Sequence, residues 1–563
     1  MKRRTFLVGL GATAGASACG GISEVSAQPV DWPAGLLELP LSLPGAGRIA
    51  FYIDYSDRTS LGTHSFYVQR IFGTAGTVSV SYQTFGDTHE TQSGTITWGN
   101  GRADIHRIDV PVRTKQDGAH RMYIQLSNPT GGAALHFGDF TRAYGVIDDG
   151  TFKAGAIYFD GDAANNGTGT RESPFNTLYA ARDAVGTRGT IYGRGTQTVT
   201  ADEGRFFGAV RKGIIPPTGT DDANRVYIER WPGAPTFTIE GTGPRDHAFD
   251  AGEVDGVGSW VTYRGIDFNT VTAGIRHTYN RARGVNVENC TFRDINNSNQ
   301  GPNVAGVLPW GISGVKVWRC TFDNIQANGD NTNSNTAGVQ TYDGTEISVQ
   351  RCRFSRCYAG TYHKRQATNA DVSITAKFNI YDGVRHYYGD AGGIDPYNWS
   401  VISNNVFING VATGDSVATR AIELTPGTNA DNGASIGLWA HNVFDGHRYA
   451  IEGNKGFKSP ILYNNIFANL GLYQYTAWIG GQRPAYSNYN WIYQGGSNGF
   501  YLNDVQLTRA DACLEYGLEC SSTDAIGPQF SAESYRVSGA AANAGVNGTP
   551  VGPYLLGIET VGP

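Results

Sequence analysis

The chain has 563 residues and a formal net charge of −6, with 76 glycines, 30 tyrosines and 25 phenylalanines. That length allows two or three domains, and the composition excludes a helix bundle in favour of turn-rich β structure. No basic field is available to hold nucleic acid, which is excluded as a partner.

Residues 1–27 read as an export signal. Lys2-Arg3-Arg4-Thr5-Phe6-Leu7 leads into the apolar, small-residue run Val8–Ala18, and Val25-Ser26-Ala27 offers a cleavage site that leaves a mature start near Gln28. Paired arginines followed by Phe-Leu resemble a twin-arginine signal, which implies a periplasmic or extracellular protein. Cys19 follows Ala16-Ser17-Ala18, a poor match to a lipoprotein acylation signal. The apolar run is too short to span a bilayer and nothing downstream replaces it, so no stable membrane insertion is expected.

Residues 36–149 alternate short strands with turns: Gly76–Tyr82, Ser93–Trp98, Ile108–Val112 and Leu126–Gly132. These segments resemble a Calx-β domain, which implies an immunoglobulin-like β-sandwich. Asp148-Asp149 stands where such domains end in acidic residues, whereas Asp117-Gly-Ala-His-Arg replaces their Glu-rich stretch. Calcium binding is therefore not carried over, and a spacer or carbohydrate-contacting role is expected.

From residue 154 the chain repeats. Val285–Phe292, Val315–Phe322 and Ile347–Phe354 each place a Cys two residues before a Phe, and Asn379-Ile-Tyr381, Asn405-Val-Phe407, Asn442-Val-Phe444 and Asn465-Ile-Phe467 continue the pattern with Asn. The gaps are 30, 32, 27, 26, 37 and 23 residues. Such a period suits one coil of a parallel β-solenoid, with the Cys or Asn in a small buried slot at a turn. Cys290, Cys320 and Cys352 are then reduced core residues, while Cys513 and Cys520 are placed to form a disulfide after export. Ile157–Leu178, with a capping helix over about 176–185, and the segments at Gln529-Phe530 and Tyr535–Ala541 resemble the opening and closing of exported β-helix polysaccharide enzymes. The fold expected over 154–563 is a right-handed parallel β-helix with a cap at each end, preceded by the sandwich.

A second strand in each coil carries the candidate chemistry. Aligning Val307, Val339, Thr361, Val384, Ile422 and Ile451 as inward residues turns Leu308, Gln340, Tyr362, Arg385, Glu423 and Glu452 outward in one column. Trp310, Tyr342, Lys364 and Tyr387 form the next column, and His363 and His386 stack as a core pair. Lys364 followed 21 residues later by Arg385-His386 resembles the Lys…Arg-His arrangement of the chondroitinase B and alginate lyase family. The resemblance implies Lys364 as the base and Arg385 as the acid-side residue of a β-elimination on a uronate-containing glycan. Two such cations ~7 Å apart repel by ~2.4 kcal/mol at an effective dielectric of 20, which favours a neutral lysine. Tyr362 and Tyr387 are candidate proton donors or sugar platforms; Trp310, Gln340, Tyr342, Glu423 and Glu452 are candidate substrate contacts. Calcium held by Asp390 and Asp395 is a further candidate for neutralising the uronate carboxylate. Two alternatives stay open: hydrolysis by carboxylate pairs such as Glu423 with Glu452 or Asp390 with Asp395, and glycan binding without catalysis.

Overall fold

The computed structural model describes residues 45–563 apart from 59–61, 87–90, 113–119, 137–140, 148–149, 207–208, 244–245, 279–280, 298–303, 328–335, 343, 366–372, 385, 393–398, 411–419, 427–435, 454–458, 478–483, 494–498, 503–504, 525–535, 546–549 and 555–558. The chain divides into two compact units, the first running to Phe152 and including Gly545–Pro550, the second comprising Lys153–Ala544 and Val551–Pro563.

The first unit is a sandwich of a four-stranded and a five-stranded sheet. Alternation along Val78–Gly86 and His120–Ser127 turns Val78, Val80, Met122, Ile124 and Leu126 into a shared core with Phe66, Val68 and Trp98. Arg70 is buried beside that core at 1% exposure, its guanidinium donating to the carbonyls of Ala46, Ala75, Gly76 and Arg102. One side chain thereby satisfies the backbone of three loops.

The second unit is a parallel β-helix. Its strands form a 23-stranded sheet that follows two faces of every coil and an 11-stranded sheet on the third. The opening strand Ile157–Asp160 is followed by the helix Leu178–Ala184, whose first turn is capped by the Thr177 hydroxyl. Inside, Phe268, Phe292, Phe322, Phe354, Tyr381, Phe407, Phe444 and Phe467 stack one per coil. Neighbouring ring centroids lie between 4.7 Å (Phe268–Phe292) and 5.1 Å (Phe444–Phe467) apart.

From Phe292 onward the turn before each stacked ring has two parts. Asn289, Arg319, Arg351, Phe378, Asn404, His441, Asn464 and Tyr489 all take positive φ, between 51° and 60°. Each left-handed non-glycine residue costs about 1–2 kcal/mol, and the residue after it supplies compensating hydrogen bonds. In the first coils that residue is Cys290, Cys320 or Cys352, each thiol lying 3.3–3.4 Å from the carbonyl two residues back. Later it is Asn: Asn442 Nδ2 donates to Ile402 O at 2.9 Å and to Asn465 Oδ1 at 3.1 Å, while Asn442 Oδ1 accepts from Asn405 N at 3.0 Å. The chain of amides runs Asn379, Asn405, Asn442, Asn465, Asn490 and ends on Ser522 and Glu519. Burial raises the Glu519 carboxyl pKa against the opposing hydrogen bonds from Ser487, Ser522 and Asn490. Cys290, Cys320 and Cys352 are buried and free, as expected for core residues, and so is Cys357, while Cys513 and Cys520 form the disulfide.

The C-terminal segment lies back along the outside of the second face. There the outward column changes from Thr291, Thr321 and Arg353 to Ile380, Val406, Val443, Ile466 and Trp491. The apolar part packs against Val537, Ala541, Val551 and Val561. Gly552 N donates to Asn464 O at 2.8 Å and Gly562 N to Phe378 O at 2.7 Å.

Two outcomes follow. Asn442→Ala strands the buried groups its amide serves and is expected to cost ~2–5 kcal/mol in chemical denaturation, with Asn442→Cys milder because a thiol fits this slot elsewhere. His441, whose Nδ1 donates to Gly552 O at 3.2 Å, has its pKa brought down to about 4 by burial. The unfolded chain then takes up a proton below pH ~6.5 that the folded one refuses until about 4. Stability should be intact above pH ~6.5 and fall progressively toward pH 4; a denaturation midpoint flat across that window would contradict this.

Candidate functional site

The outer face of the 11-stranded sheet carries the residues predicted to be functional. Val307, Val339, Thr361, Ile422, Ile451, Tyr475 and Phe500 turn inward and are level with one another, and Tyr388 holds the same register position. Five of the six residues aligned from sequence hold this position; in the remaining coil Tyr388 replaces Val384. The reason lies in two kinds of glycine. At Gly306 and Gly338 an added Cβ would meet the stacked Phe322 and Phe354 rings at 2.6 Å, so these positions are glycine for want of space. Gly383 has open space around it and a φ of 60°: it is a turn residue that imitates the same Gly-Val dipeptide.

This displacement of four residues changes the site. Lys364 is level with Tyr342 and Ala391, Tyr362 with Gln340 and Gly389, and His386 with Ala359. Tyr387 follows His386 and is therefore not beside Lys364; five residues separate His386 from Ala391, ~16 Å along the strand. The expected Lys364–Tyr387 column is corrected accordingly, and Arg385, outside the described residues, precedes His386 in sequence. His363 and His386 are not a stacked pair: His363 is level with Thr341 and Asp390, and its Nδ1 lies 2.7 Å from Thr341 Oγ1 inside the coil.

The outer face thus has three columns. The first contains Ala305, Ala337, Ala359, His386, Arg420, Tyr449 and Tyr473. The second contains Asp250, Arg276, Leu308, Gln340, Tyr362, Gly389, Glu423, Glu452 and Thr476. The third contains Thr278, Trp310, Tyr342, Lys364, Ala391 and Thr425. Glu423 and Glu452 are direct lateral partners, as the sequence implied.

Burial separates these residues further. Trp310 and Tyr342 stack with centroids 4.3 Å apart and join Ala305 and Leu308 in an apolar cluster outside the coil core. Gln340 is fully buried, its amide donating to the Tyr342 hydroxyl at 2.9 Å. The expectation that Trp310, Gln340 and Tyr342 face substrate is therefore corrected: they point outward but are covered, and Gln340 and Tyr342 bond one another. Glu452 is 4% exposed and ion-paired with Arg420, so it is not an exposed carboxylate. Tyr362 remains half-exposed. For Lys364, Tyr387, Asp390 and Glu423 the backbone level is described; Asp395 lies outside the described residues.

Sequence reasoning missed a cluster at the start of this face. His247 Nδ1 lies 2.8 Å from Asp250 Oδ2, and Arg276 Nη1 lies 3.2 Å from His247 Nε2 and 3.8 Å from Asp250. Burial lowers the His247 pKa, and the neighbouring Arg276 charge lowers it further. Burial also brings Arg276 down to about 10. For Asp250 burial acts upward, but the hydrogen bond and charge of His247 and the charge of Arg276 outweigh it and hold the carboxyl low. The Asp250 carboxylate and the Arg276 guanidinium compensate one another. The signal for this cluster, His247…Asp250 and Arg276, sits in coils without the Cys-x-Phe motif.

Among the described residues no group of three or more His, Cys, Asp or Glu is close enough to hold a metal ion. Asp148, Asp149 and Asp395 lie outside them.

No protein-family model matches this chain, and no curated protein matches it. Among solved structures the chain is similar to the apo-form Calx CBD1 domain, at 21% identity over 18% of this chain and 94% of that one, with a TM-score of 0.16. It is also similar to the Calx CBD2 domain, at 19% identity over 18% of this chain and 89% of that one, with a TM-score of 0.16. A third similarity is to Bacteriophage CBA120 tailspike protein 3, at 13% identity over 62% of this chain and 54% of that one, with a TM-score of 0.24. These likenesses concern fold, which the strand pairing above establishes independently.

Because Trp310 is a covered packing residue, Trp310→Ala should lower stability by about 3 kcal/mol. It should leave KM for any glycan substrate within twofold; a large KM change at unchanged stability would return Trp310 to the binding surface.

Proposed function

We propose that the protein is an exported polysaccharide lyase that takes a uronate-containing glycan across the outer face of the third sheet. The observation that supports this reading is the pairing of adjacent strands on that face. Tyr362 and Lys364 share one strand, and the next carries Gly389 and Ala391 at the same two levels, so two bulky residues border two positions with little or no side chain. A sugar ring seated over the glycine and alanine lies within reach of both bulky residues.

The reaction is β-elimination. The deprotonated form of Lys364 takes the proton from the carbon beside the uronate carboxylate, and the ammonium formed faces the developing negative charge. The bond from the neighbouring carbon to the bridging oxygen breaks, a carbon–carbon double bond forms, and the Tyr362 hydroxyl protonates the departing oxygen. Tyr387, which is not level with Lys364, has no role in this step, and Arg385 lies outside the described residues.

A second reading is glycoside hydrolysis by Glu423 and Glu452. Its support is their direct pairing on adjacent strands: a spacing of ~4.8 Å is close to the ~5–5.5 Å of retaining carboxylate pairs. Arg420 holds Glu452 in place.

Incubation with alginate, pectate and glycosaminoglycans should release unsaturated ends absorbing in the near-UV, faster as pH rises above neutral. Lys364→Ala should lower kcat by about 10²–10⁴-fold with KM within a few-fold. Reducing ends without unsaturation, lost in Glu423→Gln but kept in Lys364→Ala, would transfer the assignment to the hydrolase. No product from any glycan would leave a binding protein.

A further inference from the structure

The sandwich unit carries an aromatic row on the wrong side of a sheet. Its five-stranded sheet turns Val80, Met122, Ile124 and Ala143 to the core. The opposite face follows the usual polar pattern at Ser79, Ser81, Gln83, Thr95, Thr97 and Ser127. Across the middle of that outer face the pattern breaks. Phe85 is level with Tyr123, Tyr123 with Tyr144, and Tyr144 with Tyr55, one residue from each of four adjacent strands. The ring centroids are 4.8 Å, 6.4 Å and 5.4 Å apart along this row.

The row is graded in exposure and flanked by cations. Tyr55 and Tyr144 are buried at 2% and 7%, whereas Phe85 and Tyr123 are partly exposed. Arg121 and Gln125 lie on either side of Tyr123 along its own strand, and Arg142, level with Gln125, places its guanidinium 5.8 Å from the Tyr123 ring centre. Arg142 Nε donates to Gln125 Oε1 at 3.3 Å, which holds it over the row. Both arginines are partly exposed. Among the described residues, the one acidic residue in register with the patch is Asp57, level with Val146 on the edge strand beside the buried end.

We propose that this face is a second glycan-binding site, with Phe85, Tyr123, Arg121 and Arg142 as its contact residues and an acidic polysaccharide as its ligand. The ligand class rests on the lyase reading; the site does not. The exposed ring edges and the tyrosine hydroxyl suit sugar C–H and hydroxyl groups, and the two guanidiniums suit carboxylates. Such a site holds long chains that the solenoid cleaves, without taking part in the reaction.

The test uses the full-length Lys364→Ala protein, so that the glycan survives, with sized alginate and pectate fragments in titration calorimetry. Tyr123→Ala and, separately, the milder Arg142→Gln should each weaken binding of long fragments at least tenfold at unchanged melting temperature. Added salt should weaken binding most where both arginines remain. The same two substitutions in the otherwise native protein should leave turnover of short fragments unchanged. Binding unaltered in both variants overturns the proposal even if the enzyme cleaves. Binding that depends on Tyr123 in a protein with no lyase activity keeps this site and removes the lyase reading. A change in sedimentation from dimer to monomer on Tyr123→Ala would assign the face to a second copy of the chain instead.

Discussion

The fold depends on one repeated local arrangement. At each turn between the first two faces from Asn289 to Tyr489 a non-glycine residue is held at positive φ, and the Cys or Asn after it is buried under the next coil. The left-handed residue is unfavourable alone. It persists because the following side chain satisfies carbonyl and amide groups that the turn removes from the sheet. The shared register lets one aromatic ring per coil stack beneath it at close to the strand spacing. Remove the ladder and the coils lose the feature that fixes their phase, and with it the alignment of everything on the outer faces.

The functional face is a consequence of that phase. Once inward residues are set, outward columns form automatically, and their contents vary along the axis. The Asp250–His247–Arg276 cluster and the Trp310–Tyr342 stack are compensated or covered. The stretch from Tyr362 to Glu452 combines a half-exposed phenol, a lysine position, a strand of glycine and alanine, and two paired glutamates. The chemistry proposed for this face therefore falls in its later coils.

Much of this was legible from sequence, for identifiable reasons. The Cys/Asn-x-aromatic motif is strict because both its residues are confined, one in a hydrogen-bonded slot and one in a ring stack. The free ladder cysteines and the Glu423–Glu452 pairing followed from the same regularity, whereas the capping helix followed from the resemblance of Ile157–Leu178 to the opening of other β-helix proteins. Gly383 misled because a glycine demanded by positive φ and one demanded by a neighbouring ring look alike in sequence. Burial of Trp310, Gln340 and Tyr342 was not legible either, since alternation gives direction but not cover. The apolar change from Arg353 to Ile380 on the second face was in plain view, but its meaning needs the C-terminal segment that packs there.

The most direct test is a crystal structure of the Lys364→Ala protein with an acidic oligosaccharide bound. The account predicts a sugar ring over Gly389 and Ala391, between the strands that carry Tyr362 and Glu423, with its carboxylate turned toward position 364. A ligand on another face of the solenoid, or Tyr387 rather than Ala391 level with position 364, would contradict it.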